Sequence, residues 1–349
     1  MATIKDVAKK AGVSVSVVSK AFNNYTDINE KTRMRILEIA KELNYSPNIV
    51  AKNLSSKKQR TIGLISSGVL NNNEKDTNAL DVFKGVYTAS EENQYELSIF
   101  LIDSQKQKQK SYAQFCRERN IGGAILQGIR TDDPYFKELI DTKMPVVYVD
   151  IVTARDNQFI GSVSIDNAKA SRDMADYLLE RNHRDIVVMA GVKETYVNVE
   201  RMKGVKNAFA SYQLELEDEA VYHADFSEGK AYEQAKKILQ HKRPTAFLCF
   251  SDLMAFGVMK AIKEAGLSIP ADISVTGFDD LVFSNYSNPK LTTVYQDFEE
   301  IGRESAILLQ KLMEKNVENR HVFVDHKLMT RESVKALDRD EGDGKSSNE

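Results

Sequence analysis

Residues 3–22 read TIKDVAKKAGVSVSVVSKAF, and this stretch decides the fold of the amino-terminal part of the chain. Thr3 followed by Asp6 has the pattern of a capping box, a start signal for a helix. Apolar residues then recur at helical spacing, and Gly12 predicts the helix end, because glycine adopts the left-handed conformation at low cost. Ser14 caps a second helix. Two short helices joined by a glycine-containing turn predict a helix-turn-helix.

The same periodicity predicts the buried faces of the next helices. In the second helix, the residues expected to face the core are Val15, Val18, Ala21 and Phe22. A third helix is expected over roughly residues 30–43. Its predicted inward residues are Ile36, Ile39, Ala40 and Leu43. Its predicted outward residues are Arg33, Arg35 and Lys41.

Charge is distributed very unevenly along the chain. Residues 1–60 carry 12 basic and five acidic side chains, a net charge of +7. The other 289 residues carry 36 basic and 46 acidic side chains, a net charge of −10. This asymmetry predicts a head that binds a polyanion and a body that repels one. The alternative is an ordinary three-helix unit with solvated lysines.

From residue 61 onward, short apolar runs alternate with helical stretches. The predicted strands are 62–65, 97–102, 123–126, 146–149, 186–189, 246–250 and 273–276. The predicted helices are 78–92, 167–181, 199–212, 229–240 and 253–265. This alternation indicates an α/β fold with parallel, doubly wound sheets. A segment of about 270 residues exceeds one comfortable core, so two lobes are expected.

Polar residues follow several of these strands, at the edge where open α/β sheets bind ligands. The candidates are Ser66, Ser67, Asp150, Arg201, Ser251, Asp252, Asp279 and Gln296. Asp150, Arg201 and Asp279 together would bracket a sugar, whose hydroxyls donate to carboxylates and accept from guanidinium. Asp150 has a second interpretation, an ion pair with a lysine between the lobes. Asp252 and Asp279 could instead be helix N-caps, and we favour that interpretation for Asp252. We expect a structural role for Asp280.

Other function classes find little support in the sequence. No apolar run approaches 18 residues and the chain is charged from Lys5 onward, so we expect no signal peptide, no membrane span and a cytoplasmic location. Cys116 and Cys249 fall in different predicted lobes, which argues against a disulfide. The histidines lack metal-ligand spacing, and no nucleophile elbow or phosphate-binding glycine loop is present. We therefore expect no catalytic residues, metal or cofactor, and no sugar-modifying enzyme. A solute-binding protein is an alternative that we favour less, because it should have a signal peptide and lack the basic head.

Residues 3–14, Val-Ser-Lys at 18–20 and Tyr-x-Pro-Asn at 45–48 closely resemble the LacI/GalR family of bacterial repressors. In that family the segment after Pro-Asn is a hinge helix, which folds when two protomers meet on the operator. A leucine of the hinge wedges into the minor groove. The resemblance implies this role for Leu54, with Ala51 beside it. An apolar wedge between base steps kinks the duplex and increases the wrapped contact.

The second helix is expected to enter the major groove. We expect base reading from Val15, Ser16 and Lys20. Backbone contacts are expected from Thr3, Ser14, Ser19, Asn23 and Asn24. The family often has arginine where this chain has Lys20, and lysine offers a point charge instead of a fork for guanine. The operator sequence is therefore left open.

The resemblance extends through the body to about residue 333 and implies two similar α/β lobes, like those of periplasmic sugar-binding proteins. Arg201-Met-x-Gly, Ser251-Asp-x-Met-Ala-x-Gly, Gly-Phe-Asp279-Asp280 and Leu-Thr-Thr-Val-x-Gln296 match family patterns, with serine replacing asparagine at 251. The implied effector-binding residues are Asp150, Ile165, Arg201, Phe226, Ser251, Asp279 and Gln296. Residues 70–78 lack the Asn-Pro-Phe-Phe that the family usually has there, which leaves the effector's identity open.

These features predict a homodimeric repressor that leaves a pseudo-palindromic operator when a sugar or sugar phosphate binds between the lobes. The predicted organisation is a helix-turn-helix head at 1–46, a hinge helix and linker at 47–60, a two-lobed effector-binding and dimerisation domain at 61–334, and a disordered tail at 335–349. A ligand or protein partner that strengthens DNA binding is the alternative within the same family. No leucine heptad supports a coiled-coil tetramer.

Overall fold

The computed structural model describes residues 2–22, 25–46, 60–67, 78–102, 109–129, 134–139, 141–153 and 157–338. The chain divides into two compact units, Met1–Arg60 and Thr61–Glu349. We call them the head and the body. Three predicted segments lie outside the described residues. They are hinge residues 47–59, loop residues 70–77, where the family usually has Asn-Pro-Phe-Phe, and tail residues 339–349.

The head contains three helices, α1 (Ile4–Ala11), α2 (Val15–Phe22) and α3 (Glu30–Glu42). The capping box is present, because Thr3 N donates to Asp6 Oδ2 at 2.8 Å and Asp6 N donates to Thr3 Oγ1 at 3.4 Å. Gly12 ends α1 with a φ of 65°. Ser14 Oγ accepts from Val17 N at 3.3 Å at the start of α2. The predicted start and stop signals of the helix-turn-helix are therefore confirmed.

Two side chains of the head lie differently from the prediction. Val15, expected in the core, is 40% exposed, because it belongs to a first turn of α2 in which Ser14 and Ser16 are exposed as well. Arg33, expected to face solvent, is half-buried. Its guanidinium donates to Tyr25 O at 2.7 Å, because the turn before α3 presents a carbonyl that needs a donor.

The body contains two parallel sheets. The first has strands β1 (Thr61–Ser67), β2 (Glu96–Ile102), β3 (Gly123–Gln127), β4 (Val146–Val149), β5 (Ile160–Ile165) and β11 (His321–Val324), in the order β11-β5-β4-β3-β1-β2. The second has β6 (Ile186–Ala190), β7 (Val221–His223), β8 (Ala246–Cys249) and β9 (Ser274–Thr276), in the order β7-β6-β8-β9. The antiparallel pair β10 (Thr293–Gln296) and β12 (His326–Met329) is separate.

The helices of the body connect these strands. They are α4 (Asn78–Glu92), α5 (Tyr112–Glu118), α6 (Pro134–Leu139), α7 (Asn167–Leu179), α8 (Tyr196–Ser211), α9 (Glu228–His241), α10 (Asp252–Glu264) and α11 (Phe298–Glu314). The chain passes from the first sheet to the second after β5 and returns to the first through β10 and α11. It reaches the second sheet again after β12, where Val275 N of β9 donates to Ser333 O at 2.9 Å. The body is therefore the doubly wound, two-lobed structure predicted from the alternation of strands and helices.

Several elements were missed in the sequence. Strand β5 is completely buried, but Gly161, Ser162 and Ser164 interrupt its apolar run and conceal it. Strands β7 and β11 and helices α5, α6 and α11 were also not predicted. The predicted tail begins too early, because Leu337 is 6% exposed and its backbone N donates to Arg181 O at 2.9 Å. Residues 335–337 therefore pack against the body instead of being disordered, and Lys335 N donates to Ser274 Oγ of β9 at 3.1 Å.

Candidate functional site

The body contains a cavity of about 300 Å³ at the carboxyl ends of its strands. Asp150 reaches it after β4, Ser251 after β8 and Asp279 after β9, while Gln296 ends β10. The cavity therefore lies where open parallel sheets bind ligands. Ser66, a further polar candidate, is buried and does not line it.

Six of the seven predicted effector-binding residues line this cavity: Asp150, Arg201, Phe226, Ser251, Asp279 and Gln296. The seventh, Ile165, does not. It is 1% exposed and packs within the large apolar core of the body, because it is the last residue of the fully buried strand β5.

Arg201 on α8 is 4% exposed and is held on several sides. Its Nε donates to Asn167 Oδ1 at 2.8 Å, and its Nη1 donates to the Phe250 carbonyl oxygen. The guanidinium carbon lies 3.6 Å from the ring centroid of Phe278, in a cation–π contact. Nη2 lies 3.9 Å from Asp279 Oδ1. These contacts fix the guanidinium plane while one edge faces the cavity carboxylate.

Two polar chains extend from Arg201 along the cavity. On one side, Asn167 Nδ2 donates to Ser164 Oγ at 3.1 Å, and Ser164 Oγ donates to Asp150 Oδ1 at 2.8 Å. On the other side, Gln296 Nε2 donates to Asp279 Oδ1 at 2.7 Å. Among the described residues, the buried Gln296 Oε1 has no hydrogen-bond partner. These hydrogen bonds connect Asp150, Asp279 and Gln296 into a polar network around Arg201.

Burial shifts the charged groups toward their neutral forms. It raises the pKa of Asp150, while the Ser164 hydrogen bond and the nearby Arg201 charge oppose the rise. It lowers the pKa of Arg201, against the charges of Asp279, Asp150 and Asp252. Among the described residues, Asp150 forms no ion pair with a lysine, which was the alternative interpretation.

Aromatic side chains form the apolar walls. Phe226, Tyr196 and Phe298 all line the cavity. Phe226 lies against Gly191 so closely that a Cβ at that glycine would be 2.0 Å from Phe226 Cζ. Burial raises the pKa of Tyr196 to about 12, so its hydroxyl is protonated at neutral pH. The cavity thus combines aromatic faces with hydroxyl, amide and carboxylate groups.

Three lining residues have left-handed backbones although none is glycine. The φ angles are 61° at Asp150, 58° at Phe226 and 116° at Asp279. Such conformations cost free energy, so the surrounding structure must hold them in place. Their grouping around one cavity supports its assignment as the functional site.

Asp252 is not the helix N-cap that we favoured. Ser251 caps α10 instead, since its Oγ accepts from Met254 N at 3.2 Å. Asp252 is fully buried and accepts from Leu281 N at 2.8 Å, from Ser284 Oγ at 2.6 Å and from Thr293 Oγ1 at 2.5 Å. Its carboxylate connects the segment after β9 to β10, and these hydrogen bonds are all made inside the protein.

Asp280 has the structural role predicted for it, as Arg331 Nη2 lies 2.7 Å from its Oδ1. Sequence reasoning missed Ser164 and Asn167, which connect Asp150 to Arg201, and the lining residues Tyr196 and Phe298. The signal for Asn167 was present, because it opens a helix directly after a strand. Strand β5 was not recognised, so that position was not considered.

The head presents a separate polar surface. Val15 and Ser16 are exposed in the first turn of α2, and Lys20 is half-buried in its last turn, where Nζ donates to Asp27 Oδ2. The hydroxyls of Thr3 and Ser14 serve as caps, and Ser19 is half-buried on α2. The other predicted DNA contacts, Asn23, Asn24, Ala51 and Leu54, lie outside the described residues.

No helix among the described residues is both long and apolar enough to cross a membrane. The described ranges also contain no group of three or more His, Cys, Asp or Glu side chains arranged to hold a metal ion.

Comparison with known proteins gives matches for both units. Residues 3–48 match the family model described as bacterial regulatory proteins, lacI family, and residues 175–334 match a periplasmic binding protein-like domain. The chain is 33% identical over 334 residues to the HTH-type transcriptional regulator MalR of Clostridium butyricum, covering 95% of this chain and 98% of that protein. It is 32% identical over 340 residues to the HTH-type transcriptional repressor PurR of Aliivibrio fischeri, covering 96% and 98%.

Among solved structures, the lac repressor dimer bound to operator and the anti-inducer ONPF superimposes with a TM-score of 0.82 at 25% identity. That match covers 96% of this chain and 99% of the repressor chain. The likeness to relatives thus extends over nearly the whole length of the chain, head and body alike. The chain belongs to the lacI family of bacterial regulatory proteins.

Proposed function

We propose that this protein is a homodimeric transcriptional repressor that leaves a pseudo-palindromic operator when a small sugar occupies the cavity of the body. The observation that carries this proposal is the polar network from Asp150 through Arg201 to Asp279 and Gln296. It offers acceptors and donors to sugar hydroxyls, beside aromatic faces for the sugar's C–H surface. The structure of the lac repressor dimer bound to operator and the anti-inducer ONPF supports the same arrangement.

The charge of the cavity favours an uncharged sugar over a sugar phosphate. Among the described lining residues, Asp150 and Asp279 are acidic and only Arg201 is basic. Because three groups of the protein already hold the guanidinium, little of it is left for a phosphate. Nothing among the described lining residues activates a nucleophile, so we infer a binding function without catalysis.

In the proposed mechanism, the sugar changes the relative position of the lobes and thereby unfolds or separates the hinge segments at 47–60, including Ala51 and Leu54. The helix-turn-helix at 1–46 then loses its register on DNA. The lobes at 61–334 supply ligand binding and dimerisation. Since the operator lies on genomic DNA, we place the protein in the cytoplasm.

The test uses the full chain and duplexes that it enriches from a random pool. Fluorescence anisotropy measures operator affinity while monosaccharides, disaccharides and phosphosugars are added one at a time. A thermal-shift assay detects binding of the same compounds independently of DNA. We expect one neutral sugar to raise the melting temperature and weaken operator binding. A compound that strengthens operator binding would assign a corepressor mechanism instead. No enrichment of any duplex, or no response to any sugar, would refute the proposal.

A further inference from the structure

An exposed ion pair lies on the surface of the head that is expected to face DNA. Lys20 is in the last turn of α2, four residues after Ser16, so both side chains lie on one face of the helix. Asp27 lies in the turn before α3, and its Oδ2 accepts from Lys20 Nζ. The Lys20 side chain is 41% exposed and that of Asp27 is 54% exposed. A duplex therefore has access to both groups at once.

The turn that carries Asp27 is anchored to α3. Arg33 Nη2 donates to Tyr25 O at 2.7 Å, and Arg33 Nη1 lies 3.0 Å from Glu30 Oε2. Ile28 N also donates to Tyr25 O, which closes the turn. The backbone of this turn consequently has a defined place beside α2, which keeps the Asp27 carboxylate within reach of Lys20.

A lysine without such a partner discriminates poorly between bases. Its ammonium is a compact charge on a flexible stem, and it donates to a phosphate oxygen as readily as to a base edge. A carboxylate held within hydrogen-bond reach by its backbone restricts the position of the ammonium. The same carboxylate repels phosphates, so it disfavours the contact that carries no sequence information.

We propose that Asp27 is a specificity-determining residue that, together with Lys20, reads one G·C base pair in the major groove. Lys20 donates to both O6 and N7 of guanine, and Asp27 accepts from the N4 amino group of the paired cytosine. A G·C pair presents these acceptors and this donor side by side, whereas an A·T pair presents them in a different order. The inference rests on the proposed binding of α2 to operator DNA.

The head offers a matched control. Lys10 Nζ and Glu42 Oε2 form an ion pair at 2.8 Å between α1 and α3, and both side chains are well exposed. Asp27→Asn and Glu42→Gln each remove one negative charge and the partner of one lysine. Only Asp27→Asn does so beside the recognition helix, so the two variants separate a local effect from a change in net charge.

The experiment measures the affinity of the full chain for its enriched operator and for every single base-pair variant of it, with circular dichroism to verify folding. We expect one G·C pair per half-site whose replacement by A·T weakens wild-type binding about 5- to 100-fold. Asp27→Asn should lose most of this discrimination and bind unrelated duplexes more tightly. Glu42→Gln should change all affinities alike and keep the discrimination.

A modified base tests the lysine separately. Replacing that guanine with 7-deazaguanine, which lacks N7, should weaken wild-type binding and have no effect on Lys20→Met. The inference is overturned if Asp27→Asn discriminates at every position as the wild type does, or if Glu42→Gln loses the same discrimination. A wild-type chain that enriches no sequence at all would instead refute the proposed function, and this inference with it.

Discussion

Arg201 and Asp279 face each other in the cavity, with 3.9 Å between Nη2 of the arginine and Oδ1 of the aspartate. This separation exceeds a direct hydrogen bond. Asn167 and the Phe250 carbonyl hold the guanidinium, and Gln296 holds the carboxylate, so the two groups keep their places independently. A ligand hydroxyl can therefore accept from Arg201 and donate to Asp279 at the same time.

Replacing Arg201 with lysine should remove the response to ligand while leaving DNA binding intact. Lysine keeps the charge but cannot donate to Asn167, Phe250 O and a ligand in one plane. We expect the sugar-induced thermal shift to disappear and operator affinity to stay within about twofold. Arg172→Lys is the control, because Arg172 is exposed on α7 and pairs with Asp176 one turn away. A normal sugar response in Arg201→Lys would remove the guanidinium from the binding site.

The close approach of Phe226 to Gly191 gives a second prediction. A Cβ at position 191 would lie 2.0 Å from the Phe226 ring, so Gly191→Ala must displace the ring from the cavity wall. We expect at least a tenfold loss of sugar affinity by calorimetry, about 1.4 kcal/mol. Gly229→Ala is the control, since its added Cβ would meet only Ser227 Oγ at 4.0 Å. Equal sugar affinity in the two variants would show that Phe226 does not contact the ligand.

Much of the site followed from the sequence because ligand-binding residues sit directly after strands. Asp150, Ser251 and Asp279 follow short, buried strands, and the topology of the sheets brings such positions together. Ser164 and Asn167 were missed because strand β5 contains small and polar residues and is buried by packing, not by its own hydrophobicity. Sequence spacing also does not show which carboxylates accept hydrogen bonds from the protein itself instead of facing the cavity. Asp252 is such a carboxylate.

The head shows the same limit. Helix spacing predicted the buried positions of α2 well at Val18 and Ala21, but it could not distinguish the exposed first turn at Val15. The inward turn of Arg33 depends on a carbonyl eight residues earlier in the chain. Local patterns contain no information about such contacts, which form only when the tertiary structure does.

Exposed apolar side chains after β9 of the body predict the position of the interface between protomers. Val282 is 68% exposed, Phe283 52% and Tyr286 82%, all on the turn after β9. Grouped apolar side chains on a surface are typical of protein interfaces. We expect Val282→Ser combined with Tyr286→Ser to weaken self-association at least tenfold in analytical ultracentrifugation.

Val199→Ser is the control for this prediction, because Val199 is 51% exposed on α8, away from that turn in sequence. It should leave self-association unchanged. If the double variant associates as tightly as the wild type, the turn after β9 does not belong to the interface between protomers.

The buried carboxyl group of Asp252 makes the stability of the body depend on pH in a particular direction. Burial raises its pKa to about 7, although the hydrogen bonds from Ser284, Thr293 and Leu281 oppose the rise. In the unfolded chain an aspartate titrates near pH 4. Between about pH 4 and pH 7 the folded chain therefore holds a proton that the unfolded chain has lost. This group's contribution to stability is largest below pH 4 and is lost as the pH rises through 7.

Asp252→Asn removes this titration and keeps the size of the side chain. We measure the free energy of unfolding by urea denaturation, for the wild type relative to the variant. This difference should fall between pH 4.5 and pH 7.5 by about 3 kcal/mol, for a shift of roughly three pKa units. Above pH 7.5 the difference should be constant. Asp218→Asn, at an exposed position, should give a curve parallel to that of the wild type. If the curve of Asp252→Asn is also parallel to that of the wild type, the three hydrogen-bond donors keep the Asp252 carboxylate ionised over this pH range.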